Sequence, residues 1–303
     1  MVESRNPLTY IILLTWNRWE DTEACLQSLL PVVKRHIRVL VVDNGSTDGT
    51  PENIRRQFPR FEVHENGKNL GFPAGNNIGI RHAIADGADY VILLNNDTVV
   101  DPRFADELIA AARRAPSAGM ISSLIFFHDR PNIVWFAGGD ISTWTGRSRH
   151  VGYLHGDRGQ FKGDVPIGRP CACSLLVTRR FLETVGLMKE GLFLYGEEID
   201  WMLRARRLGF QCVLASRSKV WHKVSSSTKA SPHPVFLYYS TRNMLAVLRE
   251  EAPKGRFMGR MRDFIVLMVF LGAVFRLGVP WVGGVRNVLR GYQDYRNKIS
   301  GPQ

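Results

Sequence analysis

The chain has 303 residues, of which 45% are hydrophobic, so it can bury a full core and is neither disordered nor fibrous. Its net charge of +12 indicates a polyanionic neighbour: nucleic acid, an anionic membrane face or a phosphorylated substrate. Residues 235–303 hold 11 Lys or Arg against 4 Asp or Glu, so the basic excess lies mostly in the tail.

Alternating strands and helices are predicted along most of the chain. Buried strands are predicted at residues 8–14, 37–42, 61–64, 90–94, 120–127 and 171–177. Helices are predicted at 20–30, from 50 onward, at 76–85 and from 101 to about 114. This βαβα order predicts an α/β fold in which a mostly parallel central sheet is flanked by helices. We assign residues 1–230 to this domain and 231–303 to a helical extension.

The four cysteines indicate a reduced setting. They are Cys25, Cys171, Cys173 and Cys212. Neither CxxC spacing nor a histidine-rich cluster is present, so we expect no zinc site and a cytosolic location. We expect no signal peptide, because the apolar stretch 10–14 is short and lacks a basic leader.

Residues 138–168 have neither helical nor strand periodicity and are expected to form loops over a ligand crevice.

The tail has a character of its own. Residues 264–275 are continuously apolar, and 277–285 are apolar again after Arg276. Twelve apolar residues are too few for a spanning helix, which needs about 20. Flanking arginines favour an in-plane anchor on an anionic membrane. The alternative is a hydrophobic helix hairpin that packs on the sheet or joins a second subunit in a homo-oligomer.

Polar, turn-forming residues follow several of the predicted strands. In an open α/β sheet, ligands bind at the carboxyl edge, so these residues are expected to line one crevice that fits a nucleotide sugar. The candidates for this binding role are Thr15, Trp16, Asn17, Asp43, Asn44, Gly45, Asn69, Gly71, Phe72, Asn76 and Asn96.

Two acidic strand ends suggest distinct roles. The Asp43 carboxylate can accept hydrogen bonds from the imide N–H of uracil or thymine, or from ribose hydroxyls, although its segment also fits an ordinary turn. Asp97 supplies the hard oxygen ligand that a divalent cation needs beside a diphosphate. Asn95 is expected to reach the same cation directly or through water. His222 either completes the metal shell or is a buried, hydrogen-bonded histidine.

Three further carboxylates begin a predicted helix after an aromatic run. They are Glu197, Glu198 and Asp200. The helix macrodipole favours acids at this end, but three within four residues exceed what capping requires. Adjacent acids impede each other's ionisation, which suits a base that removes a hydroxyl proton.

Together these pieces resemble glycosyltransferase family 2, which has the GT-A fold, and in particular its bacterial rhamnosyltransferase-like branch. The resemblance covers about residues 8–245. It rests on the motifs Thr15-Trp16-Asn17, Val41 to Gly49, Asn69 to Gly79, Leu93 to Asp97, Glu197 to Asp200 and Tyr238-Tyr239-Ser240-Thr241-Arg242-Asn243.

The resemblance implies an inverting transfer by a single displacement. In it Asp43 would contact the base of the nucleotide, Asp97 would hold Mg²⁺ or Mn²⁺, and Glu198 would be the general base. Glu197 and Asp200 stay open as alternatives for the base. The implied substrates are a nucleotide-diphosphate sugar donor, with rhamnose favoured, and a glycan or lipid-linked acceptor in cell-envelope polysaccharide synthesis. The protein would then act in the cytoplasm, peripherally at the inner face of the membrane.

Other functional classes fit less well. A Rossmann oxidoreductase would have a Gly-x-Gly-x-x-Gly turn after the first strand, and residues 15–19 contain no glycine. A nucleotidyltransferase would show a glycine-rich, basic loop there. A nucleic-acid-binding or scaffold protein remains an alternative, but the tail interleaves its charges with apolar residues and lacks aromatic stacking positions, so no nucleic-acid partner is expected.

Overall fold

The computed structural model describes residues 6–224, 234–251 and 256–303. Its strands are β1 Thr9–Thr15, β2 Ile37–Asp43, β3 Glu62–Glu65, β4 Tyr90–Asn95, β5 Thr98–Val100, β6 Ala118–Phe127, β7 Val134–Phe136, β8 Gly139–Ile141, β9 Ser148–His150, β10 Asp164–Ile167, β11 Ser174–Thr178 and β12 Gln211–His222. Its α-helices are α1 Trp19–Leu29, α2 Thr50–Gln57, α3 Phe72–Ala85, α4 Phe104–Arg114, α5 Arg179–Val185, α6 Glu197–Arg207, α7 Pro234–Arg249, α8 Arg256–Arg276 and α9 Trp281–Arg296.

One large sheet organises the chain, in the order β10-β12-β6-β11-β4-β1-β2-β3. The strands β4, β1, β2 and β3 are parallel neighbours, as predicted. Strand β11, however, runs antiparallel to both β4 and β6, and β10 runs antiparallel to β12. The α/β fold is confirmed, but the sheet is mixed beyond β4, because an apolar strand pattern indicates burial and carries no information on direction.

Both faces of the sheet are buried by helices. Along β1, Ile11 and Leu13 belong to the apolar cluster that includes α1, α2 and α4, whereas Tyr10 and Ile12 belong to the cluster that includes α3, α5 and α6. Successive side chains of a strand point to opposite faces, so this strand has a continuous apolar sequence. The cluster that includes α3, α5 and α6 also contains residues of α7, α8 and α9, so the C-terminal extension shares a core with the sheet.

Three predicted elements differ from the observed ones. Helix α3 begins at Phe72, before the predicted residue 76, because Gly71 at φ +84° ends the preceding turn and a proline fits the first helical turn. Strand β11 starts only at Ser174, so the two preceding cysteines lie in a turn. Residues 138–168 contain the β8–β9 hairpin and β10, whose three or four residues are too few to show a period.

Within the described residues, no helix is both long enough and apolar enough to cross a membrane.

Candidate active site

Three strand ends meet at one edge of the sheet. In the register of the parallel strands, Thr15 of β1 lies beside Asp43 of β2, and Leu14 lies beside Asn95 of β4. The polar residues that follow β1, β2 and β4 therefore share the carboxyl edge, as the sequence predicted.

Asp43 is rigidly held and has one unused oxygen. The residue is 1% exposed, and its Oδ2 accepts hydrogen bonds from the backbone N–H of Gly45 (3.0 Å) and Ser46 (2.9 Å). Its Oδ1 is buried and has no hydrogen-bond partner among the described residues. Gly45 permits this turn, since it has φ +81° and a Cβ there would lie 2.5 Å from the Lys68 Cα. Asp43 Oδ1 is thus an acceptor that the described part of the protein leaves unused.

Asn44 and Asn69 tie the neighbouring loop together. The Asn44 side-chain oxygen accepts hydrogen bonds from the Leu70 N–H (3.1 Å) and from Asn66 (3.0 Å). Its nitrogen donates to the side chain of Asn69 (3.0 Å) and to the carbonyl of Gly71 (3.2 Å). Because the Asn44 amide is fully engaged, its side chain holds the site's loops in place and does not contact a ligand, contrary to prediction.

The loop after β1 closes the same edge. The Asn17 N–H donates to Ser46 Oγ (2.7 Å), and the Asn17 side-chain oxygen accepts from the Thr47 N–H (2.8 Å). These bonds hold Asn17 at φ +57°, in the left-handed region. Trp16 is 54% exposed at this rim, so its ring is available to a ligand.

Asn96 fixes the turn that presents Asp97. Its side-chain nitrogen donates to the hydroxyls of Thr22 (3.0 Å) and Thr15 (3.3 Å), and these two hydroxyls lie 2.8 Å apart. Thr15 and Asn96 therefore join β1, α1 and the end of β4. Their predicted role in donor binding becomes one of positioning the adjacent carboxylate.

Asp97 and His222 form a close pair. His222 Nε2 lies 3.1 Å from Asp97 Oδ1, and the Asp97 carbonyl accepts a hydrogen bond from the Lys223 N–H (2.8 Å). The pairing of β5 with β12 places them side by side. Burial by itself would raise the pKa of Asp97, but His222 and local hydrogen bonds outweigh burial, so this pKa lies below its usual value. Asp97 is thus ionised at neutral pH.

This pair fits two ligands of one divalent cation. Neighbouring ligands of an octahedral ion about 2.1 Å away lie about 3 Å apart, close to the separation observed here. The His222 Nδ1 atom is buried without a hydrogen-bond partner among the described residues. No group of three His, Cys, Asp or Glu in the described part of the chain could hold a metal, so a bound cation would need ligands from substrate. Asn95 ends β4 beside this pair.

An aromatic wall supports the pair. The Trp135 ring packs edge-on against His222, with centroids 4.7 Å apart, and against His150 at 5.1 Å. Burial, together with the nearby charge of Arg169, lowers the pKa of His150 to about 4, so its ring is neutral at pH 7. This wall belongs to β7, β9 and β12, and it restricts water around His222.

Glu198 is paired with a buried arginine. Arg169 Nη1 donates to Glu198 Oε1 (3.1 Å), although the Arg169 residue is only 4% exposed. Its guanidinium also lies over the Phe136 ring at 5.6 Å. Burial and the neighbouring charge of Glu198 both raise the pKa of Glu197 well above its ordinary value. The neutral form of the Glu197 carboxyl is therefore favoured over what a free glutamate would show.

Asp200 is not a candidate for the base, contrary to the open alternative. It is 2% exposed, and both of its oxygens are paired: one lies 2.7 Å from Lys189 Nζ, and the other 2.8 Å from Arg204 Nε. Asn76 is also misassigned. It is 1% exposed, and its side chain donates to the Phe72 carbonyl (2.9 Å) within α3, so it stabilises that helix.

The segment before α6 is held in an unusual conformation. Phe193 and Tyr195 have φ values of +64° and +63°. The side-chain nitrogen of Asn243 lies 2.7–2.8 Å from the carbonyl oxygens of Leu192, Leu194 and Tyr195. This contact from α7 offsets the strain of two left-handed residues and fixes the start of the helix that carries both glutamates.

The acids converge through the intervening loops. Gly71 permits close approach, since a Cβ there would lie 2.5 Å from the Phe193 carbonyl, and the Phe72 N–H donates to that same carbonyl (2.7 Å). On the other side, the Cys171 thiol experiences the charges of both glutamates, and the Cys173 thiol two residues later experiences that of Asp97. The segment before β11 therefore lies within electrostatic range of Asp97 and of both glutamates.

Sequence reasoning missed three contributors. They are Arg169, Trp135 and Asn243. Arg169 lies just before a buried strand, and an arginine there requires a carboxylate partner; this was the available signal. Asn243 belongs to a motif noted for resemblance alone, whereas Trp135 carried no signal before the pairing of β7 was known.

The comparisons with known proteins agree with this geometry. The model of the family described as glycosyl transferase family 2 matches residues 10–185. An N-acetylglucosaminyl-diphospho-decaprenol L-rhamnosyltransferase of Mycobacterium tuberculosis is 29% identical over 73% of this chain and 78% of its own length. A dTDP-rhamnosyl transferase, RfbF, of Shigella flexneri is 25% identical over 81% of each chain.

Solved structures share the fold at low identity. The mannosyltransferase PcManGT of Pyrobaculum calidifontis, solved with GDP-Man and Mn²⁺, has a TM-score of 0.58 at 14% identity, covering 97% of this chain and 88% of the other. GalNAc-T7, solved with UDP, GalNAc and Mn²⁺, has the same TM-score at 15% identity, over 87% of this chain and 55% of the other. The predicted GT-A fold is confirmed, and the chain belongs to glycosyl transferase family 2.

Proposed function

We propose that this glycosyltransferase moves a sugar, with rhamnose favoured, from a nucleotide-diphosphate donor to a hydroxyl of a lipid-linked glycan in cell-envelope synthesis. Two observations support this proposal: the ends of β2 and β4, which lead into Asp43 and Asp97, share one edge of the sheet, and the start of α3 contacts the segment that leads into Glu198. The names of two relatives, a decaprenol-linked rhamnosyltransferase and a dTDP-rhamnosyl transferase, support the choice of sugar and acceptor. A soluble donor and a lipid-linked acceptor would meet at the inner face of the cell membrane.

Donor recognition falls to the loops after β1 and β2. Asp43 offers its unpaired Oδ1 to the imide N–H of uracil or thymine, which donates one hydrogen bond. Trp16 is exposed at the same rim and can stack on the ring. The backbone turn at Gly45 holds the carboxylate in place before the donor arrives, so little ordering accompanies binding.

Asp97 and His222 would hold Mg²⁺ or Mn²⁺ beside the donor diphosphate. Such an ion offsets the negative charge that develops on the leaving group when the glycosidic bond breaks. The lowered pKa of Asp97 keeps this carboxylate ionised and ready to bind a cation across the neutral range. The Trp135 wall keeps the His222 ring oriented toward Asp97.

Glu198 is the general base in this mechanism. It takes the proton of the acceptor hydroxyl while the hydroxyl oxygen attacks the anomeric carbon on the side opposite the diphosphate. The new carbon–oxygen bond forms as the bond to the diphosphate breaks, which inverts the anomeric configuration. Arg169 orients the Glu198 carboxylate, and the raised pKa of Glu197 favours the neutral form of that neighbour.

A donor and acceptor screen tests the proposal. The purified protein is incubated with dTDP-rhamnose or uridine-diphosphate sugars and a polyprenyl-diphosphate N-acetylglucosamine acceptor, with Mn²⁺ or with chelator. We expect a glycosylated lipid from one donor in the presence of Mn²⁺, and none from Glu198→Gln. Release of the sugar 1-phosphate without sugar transfer to the lipid would indicate nucleotidyl transfer instead. Full activity in chelator would refute the metal assignment.

A further inference from the structure

Helix α8 is apolar on two opposite sides. Its buried side carries Val266, Phe270 and Val274, which pack into the protein core. Its exposed side carries Phe257 (77% exposed), Met261 (38%), Phe264 (60%), Met268 (41%) and Phe275 (68%). At about 100° per residue, the exposed five fall within an arc of about 60°, centred nearly opposite the buried three. Packing in the core explains the apolar residues of the buried side, but not those of the exposed side.

The exposed strip continues onto α9. The rings of Phe275 and Trp281 are in contact, with centroids 4.2 Å apart, and Trp281 is itself 52% exposed. Val282 and Leu289 extend the strip along α9 at 78% and 48% exposure. We call these eight residues the C-terminal apolar face: Phe257, Met261, Phe264, Met268, Phe275, Trp281, Val282 and Leu289.

The charged residues around this face are mostly basic. The exposed arginines of α8, α9 and the β8–β9 hairpin are Arg147, Arg149, Arg260, Arg276, Arg286, Arg290 and Arg296. Two of them, Arg147 and Arg276, line the same groove as Phe264 and Met268.

The acidic residues of these helices are engaged in contacts within the protein. Asp263 bonds to Arg262 and to the Tyr295 hydroxyl, and Asp294 accepts a hydrogen bond from the Tyr238 hydroxyl. The two aspartates are the only acidic residues after residue 255, and Asp294 also lines the groove beside Trp281 and Leu289. The border of the C-terminal apolar face is therefore mainly cationic.

We propose that the C-terminal apolar face lies in the plane of an anionic lipid bilayer, with its aromatic and aliphatic side chains inserted among the acyl chains. The surrounding arginines match anionic headgroups, which is the arrangement of interfacial helices. A second copy of the chain would place arginines opposite arginines, so charge complementarity favours lipid over self-association. The partner is independent of which sugar the enzyme transfers.

Vesicle flotation of the full-length protein tests this proposal. The vesicles contain phosphatidylcholine with about one third phosphatidylglycerol, or phosphatidylcholine alone. We expect flotation with the anionic vesicles, and at least about tenfold weaker partitioning for the double variant Phe264→Ser, Phe275→Ser. Leu208→Ser is the matched control, because Leu208 is 54% exposed at the end of α6, outside the face. This control should float like the unaltered protein.

Charge and self-association are tested separately. Arg276→Gln combined with Arg286→Gln should reduce the preference for anionic vesicles, as should about 0.5 M salt. Equal binding by Phe264→Ser, Phe275→Ser and the unaltered protein would overturn the proposal. So would sedimentation equilibrium showing a dimer that these two substitutions dissociate, with no vesicle binding. Sugar-nucleotide binding, measured in the same samples, distinguishes a failed docking surface from a failed enzyme assignment.

Discussion

Replacement of the two adjacent glutamates by glutamine should affect kcat very differently. Glu197→Gln and Glu198→Gln each replace a carboxylic acid by an amide of nearly the same shape. Because burial and the charge of Glu198 raise the pKa of Glu197 and so favour its neutral form, an amide there should change kcat by less than about tenfold. Glu198→Gln removes the base and should lower kcat by about 10² to 10⁴-fold. Single-turnover transfer at saturating donor measures both.

Stability against pH gives a second, independent measurement. The folded-state pKa of Glu197 lies above its ordinary value of 4.5, so the unfolded chain loses this proton first as the pH rises. Its contribution to stability is therefore complete below about pH 4.5 and is lost as pH increases toward the raised pKa. The glutamine of Glu197→Gln does not titrate. As the pH rises, the free energy of unfolding of this variant should therefore increase relative to that of the unaltered protein, by up to about 1.4 kcal/mol per pH unit.

Urea unfolding between about pH 5 and 7 measures this slope. Parallel curves for Glu197→Gln and the unaltered protein would show that Glu197 is ionised in the folded chain. Loss of transfer in Glu197→Gln equal to that in Glu198→Gln would refute the division of roles. Near-normal turnover of Glu198→Gln would reject it as the base.

The remaining predictions concern the metal pair, the arginine and a glycine. Asp97→Asn should weaken Mn²⁺-dependent binding of nucleoside diphosphate at least about tenfold by calorimetry, and unchanged affinity would remove Asp97 from the metal site. Arg169→Lys should lower kcat more than it raises KM, because one donor replaces an oriented guanidinium; equal changes in both would contradict a positioning role. Gly71→Ala should cost about 1–3 kcal/mol in urea unfolding, more than Gly67→Ala, which shares a positive φ but meets no atom within 4 Å. Equal costs for the two glycine variants would exclude the predicted clash with Phe193.

The carboxyl edge of the sheet was predictable because each buried strand ends in a visible polar turn. Asp43 and Asp97 follow apolar runs, and parallel strands bring such ends together whatever lies between them in sequence. Asn44, in contrast, lies in the same turn as Asp43 and has a different role. Only the positions of the Leu70 N–H and the neighbouring asparagines show that its amide is consumed.

Sequence patterns could not predict which distant segments pair with one another. Asp200 is indistinguishable from its neighbours as a candidate base until Lys189 and Arg204 are seen to occupy both of its oxygens. The same holds for the apolar run at 264–275, which shows burial of some kind without showing that α8 has one face in the core and another in solvent. The direction of strands was equally invisible, since β11 has the same apolar composition as the parallel strands β1, β2 and β4.

The side chain of Asn243, in the C-terminal extension, contacts the backbone ahead of α6, so the extension helps to position the helix that carries Glu198. Helix α9 presses so closely on α7 that a methyl group at Gly291 would meet the Tyr238 carbonyl at 2.6 Å. We expect a shift of α9 to move α7 and, through one side-chain amide, the residues that precede Glu198. Cutting the protein after residue 230, or grafting an unrelated anchor in place of its tail, would remove the Asn243 contacts with the backbone ahead of α6.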